Sequence, residues 1–206
     1  MIDFSAKLCR AIFPSVTYTV PDSAVHLTFD DGPHPIATPK VLDILHTFNV
    51  KATFFLVGFK AQRSPELVRE IIAQGHAIGN HTFNHANLLF RGKMFVRREI
   101  TMTNDFIRQI SGFTPTMFRP PFGYFDLTTL TIVKSLAMRL IHWSNDLRDF
   151  EIHNSGKNIV ALGRRVGKGS IVLLHDNEAT ADRVDSFLPA TIRAIAESGL
   201  VFSSLE

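Results

Sequence analysis

A single cysteine, Cys9, stands in the 206-residue chain, so no intramolecular disulfide can staple the fold, and a closed cysteine-rich zinc site cannot be built. One thiol gives no firm reading of compartment. No run reaches the roughly 18 apolar residues that a membrane-spanning helix needs. The first twenty residues carry Lys7 and Arg10 without an apolar core between charged and cleavable ends, which predicts no signal peptide. As it stands, the sequence is therefore expected to be cytoplasmic, with an extracytoplasmic address if a leader has been trimmed. Dense positive charge is lacking too: the formal net charge is +3, and Lys and Arg are scattered apart from Arg91 to Arg98 and Arg164 to Lys168. A nucleic-acid partner calls for a denser stripe, so none is expected. Repeats, low-complexity tracts and linkers are missing as well.

What is present is ordinary globular composition, 45% hydrophobic and 20% charged, with 18 Phe to fill a core. That size suits one domain. The reading is a short N-terminal segment over residues 1–23 and a single domain over 24–206, monomeric and without membrane insertion. Val25-His26-Leu27-Thr28-Phe29 alternates apolar and polar residues as a strand does, ends on the paired carboxylates Asp30 and Asp31, and is stopped by Gly32-Pro33. Successive strand side chains point to opposite faces, so both acids enter one pocket if the chain bends, which Gly32 permits. Taken alone, the tetrapeptide reads equally as a surface turn.

A strand–helix rhythm follows. A helix is expected from Thr38, as N-cap, with Pro39 at its first position. Ala52–Gly58 reads as a buried strand, Ser64-Pro65 opens a helix that Gly75 closes, and Ala77–Gly79 is a strand. Helices over Met94–Ile110, Asp126–Leu136, Lys157–Val166 and Val184–Glu197 alternate with strands Met117–Arg119, Arg139–Trp143, Ser170–His175 and Leu200–Phe202. About seven βα units argue for an α/β fold with a parallel sheet, closed as a barrel or open and doubly wound. Asp30, Asp31, His81, His85, Arg119, Asp146, Asp149 and His175 all fall at C-terminal strand ends, where βα loops build active sites.

His81-Thr-Phe-Asn-His85 spaces two imidazoles as on one helical turn, where both can share a metal. With one carboxylate added, the donor set leaves a coordination position open, as catalytic zinc sites do. Water there becomes nucleophilic near neutral pH.

Five stretches in order resemble the motifs of the polysaccharide deacetylases, the NodB homology domain of carbohydrate esterase family 4. They are Thr28-Phe29-Asp30-Asp31-Gly32-Pro33, His81-Thr-Phe-Asn-His85, Arg119-Pro-Pro-Phe122-Gly123, Asp146-Leu-Arg-Asp149-Phe150 and Leu173-Leu-His175-Asp176. The resemblance spans roughly residues 24–202. It implies a distorted (β/α)7 barrel and hydrolysis of N-acetyl groups on a carbohydrate, of peptidoglycan or chitin type, with a divalent metal, most commonly zinc, with cobalt, nickel or manganese as substitutes. Asp31, His81 and His85 match the metal ligands. Asp30 matches the base that activates the water on the metal, and Arg119 its partner, which would aim Asp30 and separate its charge from Asp31. Phe122 matches a backbone oxyanion donor, His175 the acid that protonates the departing amine, and Asp149 the carboxylate that orients it. Leu173 and Pro121 match substrate-contacting positions. Phe150 departs from the pattern, standing where the family carries Trp. Trp143, seven residues earlier, reads as a core residue or a sugar-stacking surface. His26, His34, His46, His76, His142 and His153 match no motif and read as structural or surface groups.

Two histidines and a carboxylate also make the facial triad of non-haem iron oxygenases, but Arg119 and the Asp149–His175 pair have hydrolytic roles and none that oxygen activation requires. A carbohydrate-binding protein that has lost catalysis is the third reading. The same site also suits an acetylxylan-type esterase or a non-sugar amide hydrolase.

Overall fold

A computed structural model describes residues 11–206; Cys9, Lys7 and Arg10 lie outside them. Eight parallel strands form one curled sheet in the order β5-β4-β3-β2-β1-β7-β6, with β8 against β1. They are β1 (Ala24–Asp30), β2 (Thr53–Leu56), β3 (Ala77–Asn80), β4 (Met117–Phe118), β5 (Arg139–Leu140), β6 (Asn145–Asp146), β7 (Ile171–His175) and β8 (Val201–Phe202). Helices α1 (Ala37–Thr47), α2 (Gly58–Arg63), α3 (Pro65–Ala73), α4 (Lys93–Ser111), α5 (Leu127–Ser135), α6 (Gly156–Gly163) and α7 (Val184–Ala196) cover its outside. The expected distorted α/β barrel is the fold. Among the described residues no helix is long and apolar enough to cross a membrane.

The alternation in β1 explains how one strand serves two environments. Val25, Leu27 and Phe29 join the large apolar cluster with Val41, Leu42 and Leu45 of α1 and Phe187, Leu188 and Ile192 of α7. His26, Thr28 and Asp30 take the other face, and every residue of the strand is buried. Phe29 stacks on Phe54 of β2 at 5.2 Å between ring centroids. β2 meets β1 from Thr28 onward, and β8 occupies the edge of Ala24 and Val25 that β2 leaves free.

Several local readings need correction. Helix α1 starts at Ala37, so Thr38 lies inside it and is no N-cap. Its hydroxyl accepts from the His34 N–H at 2.8 Å and donates to Asp176 at 2.5 Å. Helix α2 and strand β6 were not expected. Gly58, read as the end of a strand, opens α2 because its bare Cα lets the ring of Phe83 lie against it. β6 is two residues long and is made by pairing with β7, which no local pattern announces.

Between β5 and β7 the seam is filled from the start of the chain. Thr17 bridges Ile141 in parallel and Thr19 bridges Ser170 antiparallel. The Thr17 N–H donates to Leu140 O (2.9 Å), Thr17 O accepts from the His142 N–H (2.8 Å), and the Val20 N–H donates to Gly169 O (2.9 Å). Gly169 is required there on two counts: its φ is 71°, and a Cβ on it would collide with the Val20 carbonyl. The left-handed conformation alone costs an L-residue roughly 1–2 kcal/mol. Gly169→Ala is expected to lose about 2 kcal/mol or more in total, and at about 2–4 °C per kcal/mol for a chain of this size its Tm should fall by at least about 4 °C. An unchanged calorimetric Tm would mean that residues 17–20 are not held in the seam.

Candidate active site

β1 delivers Asp30 into the barrel and the next residue reverses. Asp31 has φ 74°, so the bend expected at Gly32 is carried by Asp31 itself, a residue type that tolerates the left-handed region. Gly32 is needed for another reason: a Cβ there would collide with the carboxylate of Asp176. The two acids consequently face one cavity despite being sequence neighbours.

The His81–His85 stretch follows β3 and is a loop, which corrects the helical turn read from its spacing. Thr82 (φ 65°) and His85 (φ 53°) are both left-handed. Polar side chains hold this conformation. Asn80 Oδ1 accepts from the Thr82 N–H (2.8 Å), while its amide donates to Ile100 O and Asn104 Oδ1 on α4, each at 2.8 Å. Glu99, 3% exposed, accepts from the N–H groups of Phe83 (3.1 Å) and Asn84 (2.8 Å) and from the Asn84 side chain (2.7 Å). Sequence reasoning missed Glu99, although a charged residue beside the apolar stripe of Val96, Ile100 and Ile107 was its signal.

His81 Nδ1 lies 2.7 Å from the Arg119 carbonyl, which accepts only, so this nitrogen carries a proton and Nε2 is the nitrogen that faces the cavity. His81 Nε2 stands 3.4 Å and His85 Nε2 2.9 Å from Asp31 Oδ1. The three donor atoms lie within 4.8 Å of one another, a set able to hold one divalent ion. Burial raises the Asp31 carboxyl, but hydrogen bonds and charge from both histidines outweigh it and hold it well below the usual carboxylate range.

Arg119, just past β4, is completely buried. Its Nη1 donates to Asp30 Oδ1 and Thr28 Oγ1, both at 2.7 Å, and its Nη2 to His142 O at 3.0 Å. The guanidinium carbon sits 4.1 Å from the centre of the Phe55 ring. Burial draws this guanidinium down from its ordinary value, and Asp30 opposes that.

His175 ends β7. Asp149, fully buried, grips it twice: Oδ1 accepts from Nδ1–H and Oδ2 from the backbone N–H, each at 2.8 Å. Burial lowers the imidazole, yet the hydrogen bond and charge of Asp149, with Asp30 and Asp31 adding, push it up to about 9. The next residue, Asp176, is fully buried; burial and the nearby Asp31 charge push it up to about 8 against the Thr38 hydrogen bond. Its backbone N–H donates to Asp30 O (3.1 Å). Asn177 then donates to Asp31 Oδ2 at 2.8 Å. No role was read from sequence for Asp176 or Asn177; their position straight after a strand-end histidine was the available signal.

A cavity of about 470 Å³ joins these groups. Asp30, Asp31, His81, His85 and His175 line it with Phe122, Trp143, Phe150 and Leu173, while Arg119 and Asp149 stand behind the lining. Phe122 (φ 60°) makes an edge-to-face contact with the His85 ring at 4.7 Å between centroids, and Phe150 makes one with His175 at 5.0 Å. Trp143 stacks on His142 at 3.9 Å and packs against the cluster of Phe55, Met117 and Ile141, as a core residue would, while part of it lines the cavity. Pro121 is buried inside its 3-10 turn and has no place among the cavity-lining residues.

Comparison with known proteins places this geometry. The polysaccharide deacetylase family model matches residues 17–141. The chain is 37% identical over 187 residues to a chitooligosaccharide deacetylase of Sinorhizobium fredii, covering 86% of this chain and 87% of that one. It is 32% identical over 191 residues to a peptidoglycan-N-acetylglucosamine deacetylase of Bacillus cereus, covering 91% and 89%. Among solved structures, a mutant of BA3943 from Bacillus anthracis, a CE4 family pseudoenzyme with restored activity, superposes with a TM-score of 0.81 at 27% identity. That match covers 90% of this chain and 66% of the other, so this chain spans about two thirds of its length. With a family match over most of its sequence and relatives above 30% identity along nearly their whole length, the chain belongs to the polysaccharide deacetylase family.

Proposed function

We propose that this protein is a divalent-metal-dependent deacetylase that hydrolyses the acetamide of N-acetylglucosamine units in a chitin- or peptidoglycan-type glycan. One observation carries the reading. A cation-ready set of Asp31, His81 and His85 shares its cavity with two separate proton-handling pairs, Asp30–Arg119 and His175–Asp149. Family members can lose activity while keeping the fold, as the BA3943 pseudoenzyme did, so side chains decide, and here both pairs and all three donors are in place.

A divalent cation in this set, zinc suiting two imidazoles and a carboxylate, supplies Lewis-acid polarisation and lowers the pKa of water toward neutrality. The residues of the chain do the rest. Asp30 Oδ1 is taken by Arg119, so Oδ2, 3.8 Å from His81 Nε2, is the oxygen that accepts the proton of the attacking water. A C–O bond forms at the acetyl carbon, and the backbone N–H of Phe122 is assigned to the developing oxyanion. His175 enters protonated and gives its proton to the nitrogen as the C–N bond breaks, releasing acetate and a free amine. Leu173 and the rings of Phe122 and Phe150 exclude water and seat the acetyl methyl and the sugar.

Zinc-supplemented protein is expected to release acetate from chitooligosaccharides or peptidoglycan fragments, and more slowly from acetylated xylan. Release from xylan alone would replace the amidase by an esterase. Asp30→Asn should keep its metal and lose about 10²–10⁴-fold in turnover; near-normal acetate release would remove Asp30 as the base. His81→Ala, folded by circular dichroism, should lose most bound metal in elemental analysis, and unchanged stoichiometry would discard the ligand set.

The pH dependence has a definite sign. His175 must be protonated, and its upward shift to about 9 puts the loss of activity on the alkaline side. Asp149→Asn removes the counter-charge and leaves burial, which disfavours the cation. The alkaline limb of kcat/KM should move down by roughly 1–3 pH units. A limb that stays in place would show that His175 is not the titrating acid.

A further inference from the structure

Asp31 uses its two oxygens differently. Oδ1 faces His85 Nε2 at 2.9 Å and His81 Nε2 at 3.4 Å, whereas Oδ2 accepts from Asn177 Nδ2 at 2.8 Å. A free carboxylate turns about its last torsion and offers either oxygen or both. Something must therefore choose.

Asn177 is itself held so that it can choose. An amide whose oxygen and nitrogen were interchanged would put two acceptors face to face at Asp31, and the surroundings forbid that: Asn177 Oδ1 accepts from the Ala179 N–H at 2.9 Å, so the nitrogen is the end that points at the carboxylate. The Asn177 N–H reaches Thr180 Oγ1 at 3.2 Å, and the same hydroxyl lies 2.9 Å from His175 O, which folds residues 175–180 into a tight loop. Asn177 is 8% exposed, and it comes from β7's end, 146 residues from Asp31. Its contact is with the donor group, not with the cavity's proton-handling pairs.

We propose that Asn177 is a positioning residue for the metal centre: by occupying Asp31 Oδ2 it makes Asp31 a one-oxygen ligand and aims Oδ1 at the point between His81 and His85. The inference rests on the metal-site reading above. Loss of such an outer-shell partner typically weakens metal binding by about 10–100-fold.

The test is zinc affinity by chelator competition on wild-type protein and Asn177→Ala, with thermal unfolding of both metal-free proteins beside it. The expected result is a Kd raised about 10–100-fold in the variant, at a metal-free Tm near that of wild type. Crystals of the zinc-loaded variant should show Asp31 rotated or chelating through both oxygens. If Asn177→Ala does not fold, Asn177→Leu keeps the volume and removes the donor, and the same rise in Kd is expected. A folded variant of either kind with wild-type Kd and a one-oxygen Asp31 overturns the positioning role while leaving the metal site standing. Failure of the wild-type protein to bind zinc, cobalt, nickel or manganese overturns the metal reading itself, and the proposal with it.

Discussion

A fully buried guanidinium is the constraint from which the rest of this interior follows. Taking such a charge out of water costs several kcal/mol unless its donors are met, and a guanidinium brings five of them. Arg119 meets Asp30 and Thr28 from β1 and the carbonyl of His142 beyond β5, with the Phe55 face of β2 beneath it. One side chain thus fixes the separation of strands that are not sheet neighbours, because β1 and β4 have β2 and β3 between them. The same residue's carbonyl sets the tautomer of His81. A lysine could neutralise Asp30 but could not bridge these acceptors with a planar fork.

Around that centre, charges of like sign are kept apart by giving each a different partner. Asp30 belongs to Arg119, Asp31 to the two histidines and Asn177, Asp149 to His175, and Asp176 to Thr38. Carboxyl groups gathered at one barrel mouth would otherwise raise one another's pKa values; Asp176, whose direct partner is a neutral hydroxyl, is pushed up chiefly by burial, with the charges of Asp31 and Asp30 adding. Three consecutive residues at the end of β7 handle three of these relationships. That concentration explains why β7, paired to β1 over its whole length, cannot slip in register without disordering both acid pairs.

Much of this was legible in the sequence. Alternation in Val25–Phe29 assigned β1 and its two faces, and the rhythm of apolar runs placed the reactive residues at strand ends. What misled was local geometry: the four-residue spacing of His81 and His85 is helical on paper, whereas Asn80 and Glu99, one before and one far after it, impose a loop. The bend at the two acids was credited to Gly32 because glycine is the usual source of positive φ, yet the glycine is there to admit the side chain of Asp176, the residue after β7. Both misreadings share a cause, since Glu99 and Asp176, which help to decide the local backbone, lie far along the chain from the residues they meet. Pro121 was drawn into the substrate set by its neighbours in the motif, and the turn that exposes Phe122 buries it.

The seam between β5 and β7 has one more consequence. Thr17 O accepts from the His142 N–H, His142 O accepts from Arg119, and Arg119 holds Asp30, so the beginning of the described chain stands three hydrogen bonds from the carboxylate at the centre of the barrel. Residues 17–20, which come ahead of the first strand, are in mechanical terms the keystone of the wall behind the site.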